Sequence, residues 1–235
     1  MMRLYVTGDV HGNIQRFLPD EWNAKGYSAM TSKEYVLILG DFGIPWDYSM
    51  EEDIKLDALA DFPSTFLFID GNHENFERLY EYPEEEWNGG RVHRLRPNVF
   101  HLMRGEVFSL NGMKFFAFGG ARSIDKALRT ENITWWKEEI PSEEEFQRAK
   151  RNLARVGNTV DLVFTHAAPL QFLVPYKETL GFDPRYSKDV TVRMLSELES
   201  LISYQRWYFG HYHLDYFDEG RNARWMYRNI DWVEW

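Results

Sequence analysis

The chain has 235 residues and no cysteine, so disulfides, thiolate metal ligands and cysteine nucleophiles are excluded. Its 27 basic and 37 acidic residues give a formal net charge of −10, the wrong sign for a protein that holds long polyanions, so an extended nucleic acid is not the expected partner. No apolar run approaches the roughly 20 residues that span a bilayer, which argues against a membrane protein. The opening "MMRLYVTGD" leaves no room for a secretion signal, and we therefore expect one cytoplasmic domain over residues 1–235.

Five short apolar runs rich in Val, Ile, Phe and Tyr predict β-strands that each end in polar residues. In chain order they are "LYVTGDVH" (4–11), "YVLILGD" (35–41), "FLFIDGNHE" (67–74), "LVFTH" (162–166) and "WYFGHYH" (207–213). Charged segments with helical periodicity lie at 50–61, 143–156 and 189–202. Nearly continuous apolar strands indicate sheets buried on both faces, so the fold class is α/β, with helices flanking the sheets.

The pattern between residues 90 and 118 indicates antiparallel strands, with Asn111-Gly112 at the position of a tight hairpin turn. "DEGRNAR" predicts a second hairpin near residue 220. The acidic runs are interpreted as a solvated loop at 84–86 and a helix N-terminus at 143–145.

Five of the seven histidines lie at the ends of the predicted strands, namely His11, His73, His166, His211 and His213. Asp9, Asp41 and Asn72 lie among them. Because ligands gather beyond the carboxyl ends of strands in α/β sheets, these side chains are expected to converge on one site. Without cysteine, any metal there must use imidazole and oxygen ligands. His93, His101 and Trp135-Trp136 are instead assigned to packing.

In chain order the polar motifs read D-V-H, G-D, G-N-H-E, T-H and G-H-Y-H, over residues 9–213. This series resembles the calcineurin-like metallophosphoesterase superfamily, whose pattern is D-x-H, G-D, G-N-H-[DE], H and G-H-x-H. The resemblance implies a layered metallophosphoesterase fold, with mixed β-sheets flanked by helices and a dinuclear metal site at the strand C-terminal ends.

The resemblance also implies roles for individual residues. One divalent ion would be held by Asp9, His11, Asp41 and His213, and a second by Asp41, Asn72, His166 and His211. Mn²⁺ is the first expectation, while Fe, Zn, Co and Ni fit the same ligand types. Two such ions can hold a shared water, lower its pKa and clamp phosphate oxygens.

His73 belongs to neither ligand set, so it is the candidate that protonates the leaving oxygen or stabilises its charge. The adjacent Glu74 has no role that the residues themselves supply. We interpret it as a partner that holds a ligand or His73 in place.

The predicted reaction is hydrolysis of a phosphate monoester or diester on a small or nucleotide-like substrate. The protein phosphatase branch carries an arginine after its G-D motif, and "GDFGIPWDY" has none, which weakens that reading. A DNA-processing nuclease and a non-catalytic metal-binding module remain alternatives.

Arg122 in "FGGARSID" is the candidate for substrate-phosphate binding, because a guanidinium offers a bidentate fork. A structural ion pair with Asp125 is the alternative. The aromatic segment 169–186 is assigned to packing. The alternative is that it forms a wall of the site.

Overall fold

Two mixed β-sheets form the centre of the computed structural model, which describes residues 2–27, 29–176 and 188–234. In spatial order the first sheet contains β13 (Ile230–Glu234), β1 (Arg3–Thr7), β2 (Glu34–Leu39), β3 (Thr65–Ile69), β6 (Val99–Leu102), β5 (Gly90–Arg96) and β4 (Glu84–Trp87). The second contains β11 (Tyr216–Asp218), β12 (Ala223–Trp225), β10 (Arg206–Phe209), β9 (Leu162–Thr165), β8 (Met113–Phe118) and β7 (Glu106–Leu110).

The α-helices of the described residues are α1 (Pro19–Ala24), α2 (Met50–Ala60), α3 (Phe76–Leu79), α4 (Glu143–Arg155), α5 (Leu170–Leu173) and α6 (Val190–Leu201). The three predicted helical segments are confirmed as α2, α4 and α6. Ser142 caps α4 in a capping box with Glu145, as the acidic start of that segment suggested. None of these helices has the length and apolar character needed to cross a lipid bilayer.

The central strands of the first sheet, β1, β2 and β3, are buried on both faces. In β2, Leu37 packs in a cluster with Phe115 and Phe164 of the second sheet, whereas Val36 packs on the opposite side with Leu56 of α2. Successive side chains of a strand point to opposite faces, so two buried faces require a continuous apolar run. This explains why β1, β2, β3, β9 and β10 coincide with the five predicted strands.

The second sheet is covered on its outer face by α4 and α6. Phe116 of β8 and Trp207 of β10 lie in one apolar cluster with Leu153 of α4 and Leu195 of α6. The order of layers is therefore helices, sheet, sheet, helices, and the predicted α/β class with mixed sheets flanked by helices is confirmed.

Both predicted hairpins are present. β7 and β8 pair antiparallel around Asn111 and Gly112, whose φ angles of 48° and 90° suit the left-handed turn that joins such strands. β11 and β12 also pair antiparallel. The loop interpretation of Glu84–Glu86 was wrong, because these residues begin β4, an exposed edge strand paired with β5. Charged side chains suit an edge strand, since they discourage pairing with another chain.

The parallel strands determine where the site forms. β1, β2 and β3 run parallel in the first sheet, and β8, β9 and β10 run parallel in the second. Five of these strands end in the polar motifs, and their carboxyl ends lead into one region where the two sheets meet.

Candidate metal centre and active site

The polar residues that follow five strands lie together, as their positions in the sequence predicted. They are Asp9 and His11 after β1, Asp41 after β2, Asn72 and His73 after β3, His166 after β9, and His211 and His213 after β10. Contacts among these side chains join the two sheets, because residues from β1 and β2 meet residues from β9 and β10.

Asp9, His11, Asp41 and His213 each offer one ligand atom, and these atoms all lie within 4.8 Å of one another. The Nε2 atoms of His11 and His213 are 3.4 Å apart, and His11 Nε2 is 3.8 Å from Asp41 Oδ2. Asp9 Oδ2 is buried and lies 3.1 Å from His213 Nε2, yet it accepts no well-directed hydrogen bond. The donor set and its spacing fit a divalent cation with nitrogen and oxygen ligands.

A second group of side chains adjoins the first through Asp41. His166 Nε2 is 3.3 Å from Asp41 Oδ1 and 3.2 Å from Asn72 Oδ1. His166 Nδ1 donates to the Leu39 carbonyl oxygen at 2.7 Å, which leaves Nε2 facing the site. The His211 ring lies 4.9 Å from the His166 ring, and its backbone N–H donates to Asp9 Oδ1.

The buried charges show that this cluster favours a cation. Burial opposes protonation of His166, but the carboxylates of Asp41 and Asp9 outweigh it and raise the His166 pKa to about 10. Burial would raise the Asp41 pKa, yet His166 holds that pKa well below its ordinary value. The two carboxylates thus draw positive charge into a buried pocket, and a divalent cation meets the same demand.

Asn72 is held with its oxygen toward the cluster. Its Nδ2 donates to Ser123 Oγ at 3.1 Å, and Ser123 donates in turn to the buried carboxylate of Glu139. Lys126 pairs with Glu139 at 2.7 Å. Because an amide has distinct donor and acceptor ends, this chain assigns Nδ2 to Ser123 and leaves Oδ1 for the site.

Close backbone approach explains two of the glycines in the motifs. A Cβ at Gly71 would lie 2.1 Å from Asp41 Oδ1, and a Cβ at Gly40 would lie 2.2 Å from His166 Nδ1. The backbone is also strained at four candidate ligands, since His11, Asp41, His211 and His213 have φ angles between 48° and 67°. Such conformations in non-glycine residues concentrate at functional sites.

Glu74 organises the backbone that follows Asp41. Its carboxylate accepts the N–H groups of Phe42, Gly43 and Gly71 at 2.8, 3.0 and 3.3 Å. Burial raises its pKa, and the nearby Asp41 carboxylate adds to this rise. Glu74 therefore ties the loop after β2 to the loop after β3.

His73 lies beside the first group, its ring 5.1 Å from that of His11, and its backbone N–H donates to Asp41 Oδ1. Both ring nitrogens of His73 lie 3.0 Å from the Arg129 guanidinium. Arg129 is in turn held by Asp125, whose Oδ2 accepts from Nε at 2.9 Å. Burial lowers the pKa of His73; Asp41 opposes this shift and Arg129 adds to it. Sequence reasoning missed Arg129, which follows no strand and belongs to none of the motifs.

The side chain of Arg122 is exposed, and its backbone N–H donates to Asp189 Oδ2. Asp125, the partner suggested for Arg122, pairs with Arg129 instead. Of the aromatic segment 169–186, residues 177–186 lie outside the described residues. The part before them packs as expected, with Phe172 and Leu173 buried against the second sheet.

The family model for calcineurin-like phosphoesterases matches residues 2–226 of this chain. The chain belongs to that family. The match includes every motif from Asp9 to His213, so the resemblance drawn from the five motifs is confirmed. The chemistry that names the family, cleavage of phosphate esters, suits a site with this donor set.

Comparison with other proteins adds little to this family assignment. None of the curated proteins matches the chain. Among eleven matching chains of solved structures is a Staphylococcus aureus protein assigned as a 5′-nucleotidase, in complex with α-ketoglutarate. It is 14% identical, with a TM-score of 0.46 over 99% of this chain and 50% of its own. The present chain thus spans about half the length of that protein.

Proposed function

We propose that this calcineurin-like phosphoesterase hydrolyses a small phosphate ester, monoester or diester, with two divalent metal ions, Mn²⁺ being the first candidate. The observation that carries the proposal is the cluster of Asp9, His11, Asp41 and His213, whose ligand atoms lie within 4.8 Å of one another. The adjoining group supports a second ion, because His166 Nε2 lies 3.3 Å from Asp41 Oδ1 and 3.2 Å from Asn72 Oδ1.

In this proposal the first ion would be held by Asp9, His11, Asp41 and His213, and the second by Asp41, Asn72, His166 and His211. Asp41 could contribute to both sets, because a carboxylate has two oxygens and an imidazole offers one nitrogen. Bound divalent ions supply the positive charge that activates water and neutralises the phosphate oxygens.

The hydrolysis forms one bond to phosphorus and breaks another. A water gives up a proton as its oxygen bonds to phosphorus, and the bond from phosphorus to the alcohol oxygen breaks with its electron pair on that oxygen. The alkoxide then takes up one proton to leave as the alcohol. His73 lies at the edge of the ligand groups without joining them, so its ring can hand over that proton, and Arg129 places a permanent positive charge beside it.

The net charge of −10 favours a small substrate over a polynucleotide. A phosphoprotein substrate lacks support for a separate reason, since "GDFGIPWDY" carries no arginine after Asp41. These two features make a small or nucleotide-like ester the preferred substrate class.

The test is an assay of Mn²⁺-loaded protein on p-nitrophenyl phosphate and bis-p-nitrophenyl phosphate, with metal content measured on the same samples. We expect turnover by wild type and a drop in kcat of about 10²-fold or more in His73→Ala, with the metal content retained. Asp41→Ala should instead lose bound metal.

Absence of turnover on any phosphoester by protein that carries two ions would contradict the proposal and favour the non-catalytic module. Preferential turnover of a phosphopeptide or of DNA would favour the phosphatase or nuclease alternative. If His73→Ala kept full activity and lost a metal ion, His73 would be a ligand and the proposed roles would be reversed.

A further inference from the structure

A recess of about 350 Å³ opens beside the first ligand group. The residues that line it include His11 and His73 of the site, Ile44 and Trp46, which contribute apolar and aromatic surface, and Lys55. Its size falls within the range of small-molecule sites in proteins, and its surface combines apolar groups with a few polar ones. The recess is therefore continuous with the site at which the phosphate ester would react.

The aromatic wall of this recess is fixed before any ligand arrives. The backbone N–H of Trp46 donates to the buried carboxylate of Glu52 at 2.5 Å, and its carbonyl accepts from Asn75 Nδ2 at 2.6 Å. The indole packs edge-to-face against Trp136, with ring centroids 5.3 Å apart. Glu52 is itself bound by Arg78. A wall held in this way contacts a ligand without losing much freedom on binding.

The charges around the recess disfavour a second anionic group. Apart from the histidines, Lys55 is the one cation among the described residues that line it, and Lys55 pairs with Glu51 at 2.8 Å. Asp47 and Glu52 add further carboxylates. A ligand that carried more phosphates into the recess would meet carboxylates without a cation left to bind them.

The position of His73 determines which way the leaving group of the substrate extends from the phosphate. His73 is the residue proposed to protonate the leaving oxygen, and its ring lines the recess. The alcohol attached to that oxygen must then extend away from the phosphate on the same side as His73, which places it within the recess.

We propose that the recess binds the leaving alcohol of the substrate, and that this alcohol carries an uncharged planar ring that packs against Trp46. The substrate class is an ester with one phosphate on an aryl or nucleoside group, with polyphosphates disfavoured. This inference rests on the proposed phosphoesterase function and deepens it.

The experiment compares kcat/KM of Mn²⁺-loaded wild type, Trp46→Ala and Trp46→Phe on esters with and without a ring. p-Nitrophenyl phosphate and adenosine 5′-monophosphate carry a ring and separate the aryl from the nucleoside class, whereas glycerol phosphate carries none. Adenosine triphosphate tests the exclusion of further phosphates. Trp232→Ala is the matched control, since Trp232 is 47% exposed on β13 and lines no part of the recess.

In Trp46→Ala we expect the ratio of kcat/KM for ring-bearing over ring-free esters to fall about tenfold, because the loss of one aromatic contact weakens binding of the ring by about that factor. Trp46→Phe should keep most of the ratio, and Trp232→Ala all of it. Wild type should prefer the monophosphate to the triphosphate.

An unchanged ratio in Trp46→Ala, with wild type active on both ester types, would overturn the leaving-group assignment and leave the phosphoesterase function standing. A preference for the triphosphate would also overturn it. Inactivity of metal-loaded wild type on every ester would instead refute the phosphoesterase function, and the assignment would fail with it.

Discussion

The guanidinium of Arg129 meets the imidazole of His73 at both ring nitrogens, with Nη1 3.0 Å from Nδ1 and Nη2 3.0 Å from Nε2. A neutral imidazole has one acceptor nitrogen, so only one of these contacts can be a conventional hydrogen bond. Asp125 and the Thr134 carbonyl oxygen occupy other N–H groups of Arg129. Arg129 thus places a permanent positive charge beside His73, which makes it a candidate to bind the phosphate that this site is expected to receive.

Replacing Arg129 by alanine should therefore lower kcat/KM for phosphate esters by about 10- to 100-fold, because a charged donor beside the reacting phosphate is lost. Arg129→Lys should recover only part of the activity, since an ammonium group lacks the planar fork. Steady-state kinetics on p-nitrophenyl phosphate measure both effects.

Arg122→Ala is the matched comparison, because Arg122 was the sequence-based candidate and its side chain is exposed. A tenfold effect in Arg122→Ala alone would restore the original candidate. Equal activity of wild type and Arg129→Ala would exclude Arg129 from phosphate binding.

Ser123→Ala tests whether the hydrogen bond to Asn72 Nδ2 orients the amide. Without the acceptor at 3.1 Å, the Asn72 side chain can rotate and turn its oxygen away from His166. We expect metal affinity to fall about 10- to 100-fold, as for other residues that orient a metal ligand. Titration calorimetry with Mn²⁺ measures the affinity, and Ser109→Ala on the exposed side of β7 should leave it unchanged.

The strands and most of the site could be predicted from sequence because both depend on local pattern. Burial on two faces requires continuous apolar runs, and metal chemistry limits the residues that can follow them. Arg129 could not be predicted in this way. It lies 56 residues from His73, and no sequence rule states which loop will cover a strand end.

The edge strand β4 was missed for a different reason. Three consecutive glutamates have low intrinsic preference for a strand, and only the pairing of Glu84–Trp87 with β5 makes them one. The partner strand β5 begins three residues after Trp87, and Asn88 and Gly89 between them have φ angles of 48° and 90°, as in the β7–β8 hairpin. The turn signal was therefore present in the sequence, and the glutamates before it concealed the strand.

Gly71→Ala should abolish metal binding at the Asp41 position. An added Cβ would lie 2.1 Å from Asp41 Oδ1 and 2.3 Å from the Asp41 backbone nitrogen, so the carboxylate must move. Metal content after dialysis against Mn²⁺ should fall relative to wild type. Gly220→Ala is the control, since its nearest contact would be an ordinary 3.4 Å from Asp218 Oδ1. Full metal content in Gly71→Ala would mean that the backbone adjusts without moving Asp41.

Acid should destabilise the fold through His93, which lies buried in the first sheet, away from the metal ligands. Its Nδ1 is 2.9 Å from His101 Nδ1, and the two rings stack with planes 4° apart. Burial, with His101 and Arg91 adding to it and Asp70 opposing it, lowers the pKa of His93 from 6.5 to about 3. Between these two values the unfolded chain binds a proton that the folded protein excludes, so stability falls as pH falls from 6.5 toward 3.

His93→Gln removes this titration while it keeps a polar group beside His101. The free energy of unfolding of wild type should decline more steeply with acid than that of the variant, by up to about 1.4 kcal/mol per pH unit within the window. Urea unfolding at several pH values measures the two slopes, and Arg122→Ala, altered only at the surface, should follow wild type.

Parallel curves for wild type and His93→Gln would contradict the prediction. They would show that His93 is already protonated in the folded protein, or that the region around His93 opens locally before the whole protein unfolds. The first case predicts a histidine that titrates near its ordinary value by NMR, and the second predicts fast amide exchange in β5 and β6, so the two measurements separate them.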